Sequence, residues 1–227
     1  MNIQINLTDK LHNLSDQVEI LELRENGVIH SKYNLTLTQV IQILSSSLGM
    51  DEGIVETPVL PKNCVKHLKT QSGRLQLVAI EVPKANFNVK FANTDFYLGH
   101  PRSLFVYKIS ENRVQDVFVY ALKNGEKLID ETDLYHFPYT NIYESGRVCM
   151  GGNSFPDFDH IAKLDSFHNF FMAAEYTPHM QPRVLERHDM RALTTLFDNK
   201  AFNDDLLLRK GKKLSDLITV FTLNDEY

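Results

Sequence analysis

Apolar residues recur through residues 18–23 and again through 27–33, and the two runs flank Asn26-Gly27. That dipeptide favours a type I′ turn, so a β-hairpin is expected. Thr36-Leu37-Thr38-Gln39 then fits a capping box, with Thr36 as N-cap and Gln39 at the third helical position. Leu37, Val40, Ile41, Leu44 and Leu48 follow on one helical face, and Gly49 is a natural stop.

Residues 50–73 are turn-rich, with Pro58, Pro61 and Gly73. Strands are expected over 75–82 and 87–91. A second hairpin, 104–109 with 114–122, turns at Ser110-Glu111-Asn112, and Asn124-Gly125 marks a further tight turn. From 130 to 153 the pattern is irregular, with Pro138, Gly146, Gly151 and Gly152. A long irregular stretch rich in Tyr, Phe, Val and Ile is expected to be ordered and functional. Phe158, Ile161, Leu164, Phe167 and Phe171 then predict a helix after Pro156, with Asp157 and Asp159 in its first turn, where the dipole favours anions. Pro178 and Pro182 end it. A further helix is expected over 185–197, a solvated basic turn at 210–213, and an apolar run to Leu223. The order of hairpin, helix, strands, irregular loop and helices predicts an α+β fold.

The chain of 227 residues is long enough for a full core. With 24 Lys+Arg against 29 Asp+Glu, the net charge of -5 argues against a general nucleic-acid binder, and no direct nucleic-acid partner is expected. No apolar run is long enough for a membrane span, so no membrane partner is expected. The first residues, MNIQINLTDK, lack the features of a signal peptide. The two cysteines, Cys64 and Cys149, make no disulfide framework, and a reduced, cytoplasmic protein is the expectation.

The segment from Tyr135 to Asn153 holds the chemistry. Cys149 is a soft nucleophile in a Gly-flanked loop, and Asn141 upstream carries an amide able to donate to an oxyanion. Together they form a minimal acyl-transfer set. The competing reading is a buried structural cysteine and a turn-forming asparagine. Asp157, Asp159 and His160 lack metal-ligand spacing, so no metal site is expected. Either aspartate could instead orient an incoming amine. His136 could act as a general base, against the alternative of a satisfied loop histidine. Cys64 has no partner motif and reads as structural, and 210–213 lacks the spacing of a phosphate loop.

The spacing around Cys149 resembles that of ubiquitin-conjugating enzymes. Asn141 lies eight residues before Cys149, Ile142 follows it, Gly146 lies three before the cysteine, and Val148 and Met150 flank it. A closer resemblance is to the prokaryotic ubiquitin-conjugating-like family D, in its PRTRC-type members. It is carried by Pro101-Arg102-Ser103-Leu104, Ala121-Leu122, Thr132-Asp133-Leu134-Tyr135, Pro138-Tyr139-Thr140-Asn141 and Gly146-Arg147-Val148-Cys149. The His-Pro pair that precedes the asparagine in ubiquitin-conjugating enzymes is Tyr139-Thr140 here. The Leu-Asp that usually follows the cysteine is Met150-Gly151, and the chain has no Trp.

The resemblance implies a ubiquitin-conjugating-like fold: an antiparallel sheet with flanking helices. The N-terminal β-hairpin extension is expected over 1–35 and the domain over 36–227. The resemblance further implies that Cys149 accepts a ubiquitin-like modifier as a thioester from a ThiF-like activating enzyme and passes it to an amine, with Asn141 as donor. His136, Tyr139, Asp157 and Asp159 are candidates for supporting roles. No cofactor is expected, ATP belonging to the activating partner, and the resemblance implies a bacterial mobile-element cassette as the setting. The rival readings are a non-catalytic module that binds a ubiquitin-like partner and a thiol hydrolase that pairs Cys149 with His136 or His160.

Overall fold

The computed structural model describes residues 2–9, 11–47, 57–70, 73–152, 154–186 and 188–222. The chain divides into two compact units, 1–57 and 58–227.

The first unit is a three-stranded antiparallel sheet, β1 (Asn2–Asn6), β2 (Gln17–Leu23) and β3 (Ile29–Thr36), followed by helix α1 (Leu37–Ser47). Val40 of α1 is buried with Val18 and Ile20 of β2, so the helix set with the second domain on sequence packs within this unit. The capping box forms as expected. The Thr36 N–H donates to Gln39 Oε1 at 2.9 Å, and the Gln39 N–H donates to Thr36 Oγ1 at 3.2 Å. The hairpin turn differs from the expected type I′. Gly27 has φ +78° but Asn26 does not share a positive φ, and Gly27 N–H closes a turn on Arg24 C=O at 2.9 Å. A longer loop ending in a left-handed glycine replaces the two-residue turn. Leu48 and Gly49 lie outside the described residues.

In the second unit the strands are β4 (Cys64–Lys69), β5 (Leu75–Val82), β6 (Ala85–Phe91), β7 (Thr94–His100), β8 (Arg102–Ser110), β9 (Arg113–Leu122) and β10 (Asp133–His136). After them come α2 (His168–Met172), α3 (Met190–Phe197), β11 (Arg209–Lys213) and α4 (Leu217–Thr222). Six strands form an antiparallel sheet in the order β11-β10-β9-β8-β5-β4, and β6-β7 pair separately. Glu111 and Asn112, both at positive φ (51° and 61°), make the tight β8–β9 turn where the sequence places it. Both faces of the sheet are covered. Val78, Phe105, Tyr107 and Val119 pack with α2 and α3, while Leu77, Leu104, Val106 and Tyr120 pack with Leu214, Leu217 and Val220. Burial on both faces explains why β5, β8 and β9 read as near-continuous apolar runs.

Three expectations are corrected. The segment after Pro156 is irregular to His160, then forms a 3₁₀ helix (Ile161–Ser166) before α2. Apolar residues at 158, 161, 164 and 167 recur every third position, the period of a 3₁₀ helix. The helix foreseen over 185–197 starts only at Met190, capped by Asp189, because Val184 pairs in extended form with Leu207. The basic stretch 210–213 is no turn but strand β11, an edge strand whose lysines suit a sheet margin. Leu223 lies outside the described residues.

Candidate active site

Strand β10 occupies one edge of β9 only at its C-terminal end, where Tyr135 and His136 face Ala121 and Tyr120. Next along that edge, at Val117–Val119, sits a small flap, 142–148. Val119 N–H donates to Gly146 C=O, and Val148 N–H donates to Val117 C=O, both at 2.8 Å. The flap is itself a tight loop, with Tyr143 N–H on Arg147 C=O at 2.8 Å and Gly146 N–H on Tyr143 C=O at 3.0 Å. Cys149 is the residue just past the last sheet bond, and its own N–H donates to Asn141 C=O at 2.8 Å. Sheet and loop thus fix its backbone from both sides.

The Cys149 side chain is half-buried beside a groove of about 440 Å³ whose walls include Val114, Asp116, Tyr143, Arg147, Met150 and Phe155. The Tyr143 hydroxyl donates to Cys149 Sγ at 3.3 Å, and Tyr143 is 46% exposed. That hydrogen bond to Cys149 is the main cause that raises the Tyr143 pKa. Arg147 Nε pairs with Asp116 Oδ1 at 2.6 Å, its guanidinium covering a carboxylate that is only 9% exposed.

Asn141 is placed differently from its expected role. It is buried and left-handed (φ 67°). Its Nδ2 donates to Glu175 C=O at 2.9 Å, and its Oδ1 accepts from Thr177 N–H at 3.0 Å. Both ends of the amide therefore bind the 175–177 backbone, and this geometry does not aim it at an oxyanion. Tyr139, one of the supporting candidates, is core. It is 1% exposed, donates its hydroxyl to Gly99 C=O and packs against His100, Tyr176 and Phe202.

His136 sits on β10 beside Lys210, Arg183 and Glu144. Burial first, and then Lys210 and Arg183, push its pKa down to about 4. His160 caps the 3₁₀ helix, its Nδ1 accepting from Ala162 N–H at 3.2 Å. Cys149 therefore hydrogen-bonds a tyrosine and neither of these histidines. Asp157 and Asp159 lie before the 3₁₀ helix and not in a first turn. They are exposed and pair with Arg113 at 3.0 Å and Lys163 at 2.8 Å. Among the described residues no group of three or more His, Cys, Asp or Glu could hold a metal, and no helix is long and apolar enough to cross a membrane.

Sequence reading missed Tyr143, Arg147 and Asp116. The first two lie inside 135–153, but nothing in their spacing marks them. Asp116 reaches the site only through the pairing of the flap with β9.

A family model, prokaryotic E2 family D, matches residues 40–209. No curated protein and no solved structure matches the chain.

Proposed function

The chain belongs to prokaryotic E2 family D, and on that premise we propose that Cys149 carries a ubiquitin-like modifier as a thioester. A ubiquitin-conjugating-like role, working with an activating enzyme and a ubiquitin-like modifier, follows from the family. The finer reading is ours. The Cys149 sulfur attacks the thioester carbonyl held by a ThiF-like activating enzyme. The new C–S bond forms, the old one breaks, and the thiol proton ends on the departing sulfur. An amine then attacks the same carbon. A C–N bond forms, the C–S bond to Cys149 breaks, and the amine proton returns to the thiol.

The observation that carries this reading is the placement of Cys149. Both cysteines are half-buried, but Cys64 packs against the apolar core, whereas Cys149 lines a groove on a flap fixed by sheet hydrogen bonds. The run of antiparallel strands, flap and helices supports a ubiquitin-conjugating-like fold for the second unit. Asn141 acts in this reading as a positioning residue, through its carbonyl on the Cys149 N–H.

The test is a non-reducing gel with a ThiF-like activating enzyme, a ubiquitin-like modifier and ATP. A dithiothreitol-sensitive adduct is expected that is lost in Cys149→Ala and kept in Cys64→Ala. An adduct that survives Cys149→Ala sinks the assignment. The engaged amide of Asn141, with Tyr139-Thr140 in place of His-Pro, favours the second reading, a non-catalytic module for a ubiquitin-like partner. Binding of the modifier without any adduct would select it.

A further inference from the structure

An acyl group on Cys149 needs a donor for the negative charge that develops on its carbonyl oxygen. The family resemblance gives that task to Asn141, yet the amide of Asn141 is buried and bound at both ends to the 175–177 backbone. The hydroxyl beside the sulfur belongs to Tyr143, at 3.3 Å from Sγ. We propose that Tyr143 is the oxyanion donor at Cys149, taking the role the resemblance assigns to Asn141. This inference rests on Cys149 as acyl carrier.

Three features support it. In a thioester the carbonyl oxygen is two bonds from the sulfur, so a hydroxyl already in contact with the sulfur reaches that oxygen by a small side-chain rotation. Acylation also frees the hydroxyl, because a thioester sulfur is a poorer acceptor than a thiol or thiolate. The backbone of Tyr143 is held in the flap by its bonds to Arg147 and Gly146, while its ring is 46% exposed and open to an incoming acyl group. A phenol, with an ordinary pKa of about 10, keeps its proton through neutral pH and stays a donor once the sulfur is acylated.

Attack on the carbonyl carbon moves the π pair onto oxygen, where the Tyr143 O–H donates without giving up its proton. Collapse re-forms the carbonyl and expels the leaving group. On the same groove Arg147 Nε is engaged by Asp116 Oδ1 at 2.6 Å, whereas the Tyr143 hydroxyl is the group in contact with the sulfur.

The test needs no protein partner. In a Cys64→Ala background, p-nitrophenyl acetate acylates Cys149 and releases p-nitrophenolate, and hydroxylamine then discharges the acetyl thioester. Both steps pass through an oxyanion. Iodoacetamide alkylates the same sulfur without one. Tyr143→Phe is expected to slow acylation and discharge roughly 100- to 1000-fold, to leave alkylation within about twofold, and to leave the melting temperature unchanged. Acylation and discharge at the parental rate would overturn the proposal. So would an equal slowing of alkylation, which places Tyr143 on the sulfur alone, and so would failure of the ester to acylate Cys149. Loss of the acyl steps in Asn141→Ala, without loss of stability, would return the role to Asn141. Failure of modifier loading on the gel with these ester results intact would count against the conjugating function and not against Tyr143.

Discussion

The backbone N–H of Cys149 donates to the carbonyl of Asn141 at 2.8 Å, closing the loop that carries the thiol. Asn141 can serve there because three of its properties act together. It tolerates φ 67°, its Nδ2 binds Glu175 C=O, and its Oδ1 binds Thr177 N–H. Asn141→Ala removes both side-chain bonds, leaves two backbone groups without their partners and keeps the left-handed strain. A loss of about 2–4 kcal/mol is expected. Asn141→Gly, which relieves the strain, should lose less. Denaturant melts check the order. Thioester loading and discharge should fall together with stability, since the residue holds the loop and not one reaction step.

Gly146 is the second fixed point of the flap. Its φ is +97°, and a Cβ there would meet Tyr120 Cε1 at 2.7 Å. Tyr120 is wholly buried and cannot swing away. Gly146→Ala should therefore push the flap off β9 and weaken the Val119–Gly146 bond, at a cost of about 2–3 kcal/mol. The Cys149 thiol then becomes more accessible. In a Cys64→Ala background, faster labelling by iodoacetamide together with a lower melting temperature is the expected pair of results, read by mass spectrometry and a thermal melt.

Local signals in the chain were legible where local chemistry decides the outcome. The Thr36–Gln39 capping box depends on neighbours within one turn, and it forms. The run over β5 matches the strand at both ends because both faces of that strand are covered. Strand β7 was not legible, since Tyr97 and Gly99 do not announce a strand until β6 pairs with it. Nor was β11, whose five residues bond through backbone and carry three lysines. At the site, spacing identified Cys149 but could not say which side chains turn inward. Tyr139 and Asn141 both turn into the interior, and Tyr143 turns out toward the sulfur. Spacing says nothing of Asp116, because the contact with Arg147 exists only once the flap lies on β9.

Arg147 sets the charge of the groove. Its guanidinium neutralises Asp116, so Arg147→Ala leaves one bare carboxylate near the thiol. An anion approaching within about 8 Å of that carboxylate meets a repulsion of at least about 0.5 kcal/mol, the value in bulk water, or at least about a twofold change in rate. Iodoacetate, an anion, should then react at least about twofold more slowly relative to neutral iodoacetamide. Asp116→Asn in the same chain should restore the ratio, and salt should erase the difference. A ratio unchanged by Arg147→Ala would remove the pair from any influence on what approaches Cys149.

Acid should destabilise the second unit through His100. Its ring is wholly enclosed, with Nδ1 on Leu98 C=O at 2.8 Å and Nε2 on the Tyr176 hydroxyl at 2.7 Å, among the rings of Phe87, Phe137 and Tyr139. The neutral tautomer satisfies both contacts: Nδ1–H donates to the carbonyl and Nε2 accepts from the hydroxyl. Among the described residues no carboxylate touches the ring to favour the charged form, and burial pushes its pKa from 6.5 down to about 4. The unfolded chain thus takes up this proton first as pH falls. Above about pH 6.5 the residue adds no pH dependence. Between 6.5 and 4 stability declines, by at most roughly 3 kcal/mol, and below 4 the loss levels off. His136, half-buried and also held at about 4, acts in the same direction with a smaller effect because solvent screens it. Denaturant midpoints at pH 7 and pH 4.5 should therefore separate widely for the parent. His100→Gln cannot take up a proton, so its midpoints should lie closer together, from a lower starting value at pH 7. A His100→Gln chain that loses as much stability over that interval as the parent would show that the proton is taken up elsewhere.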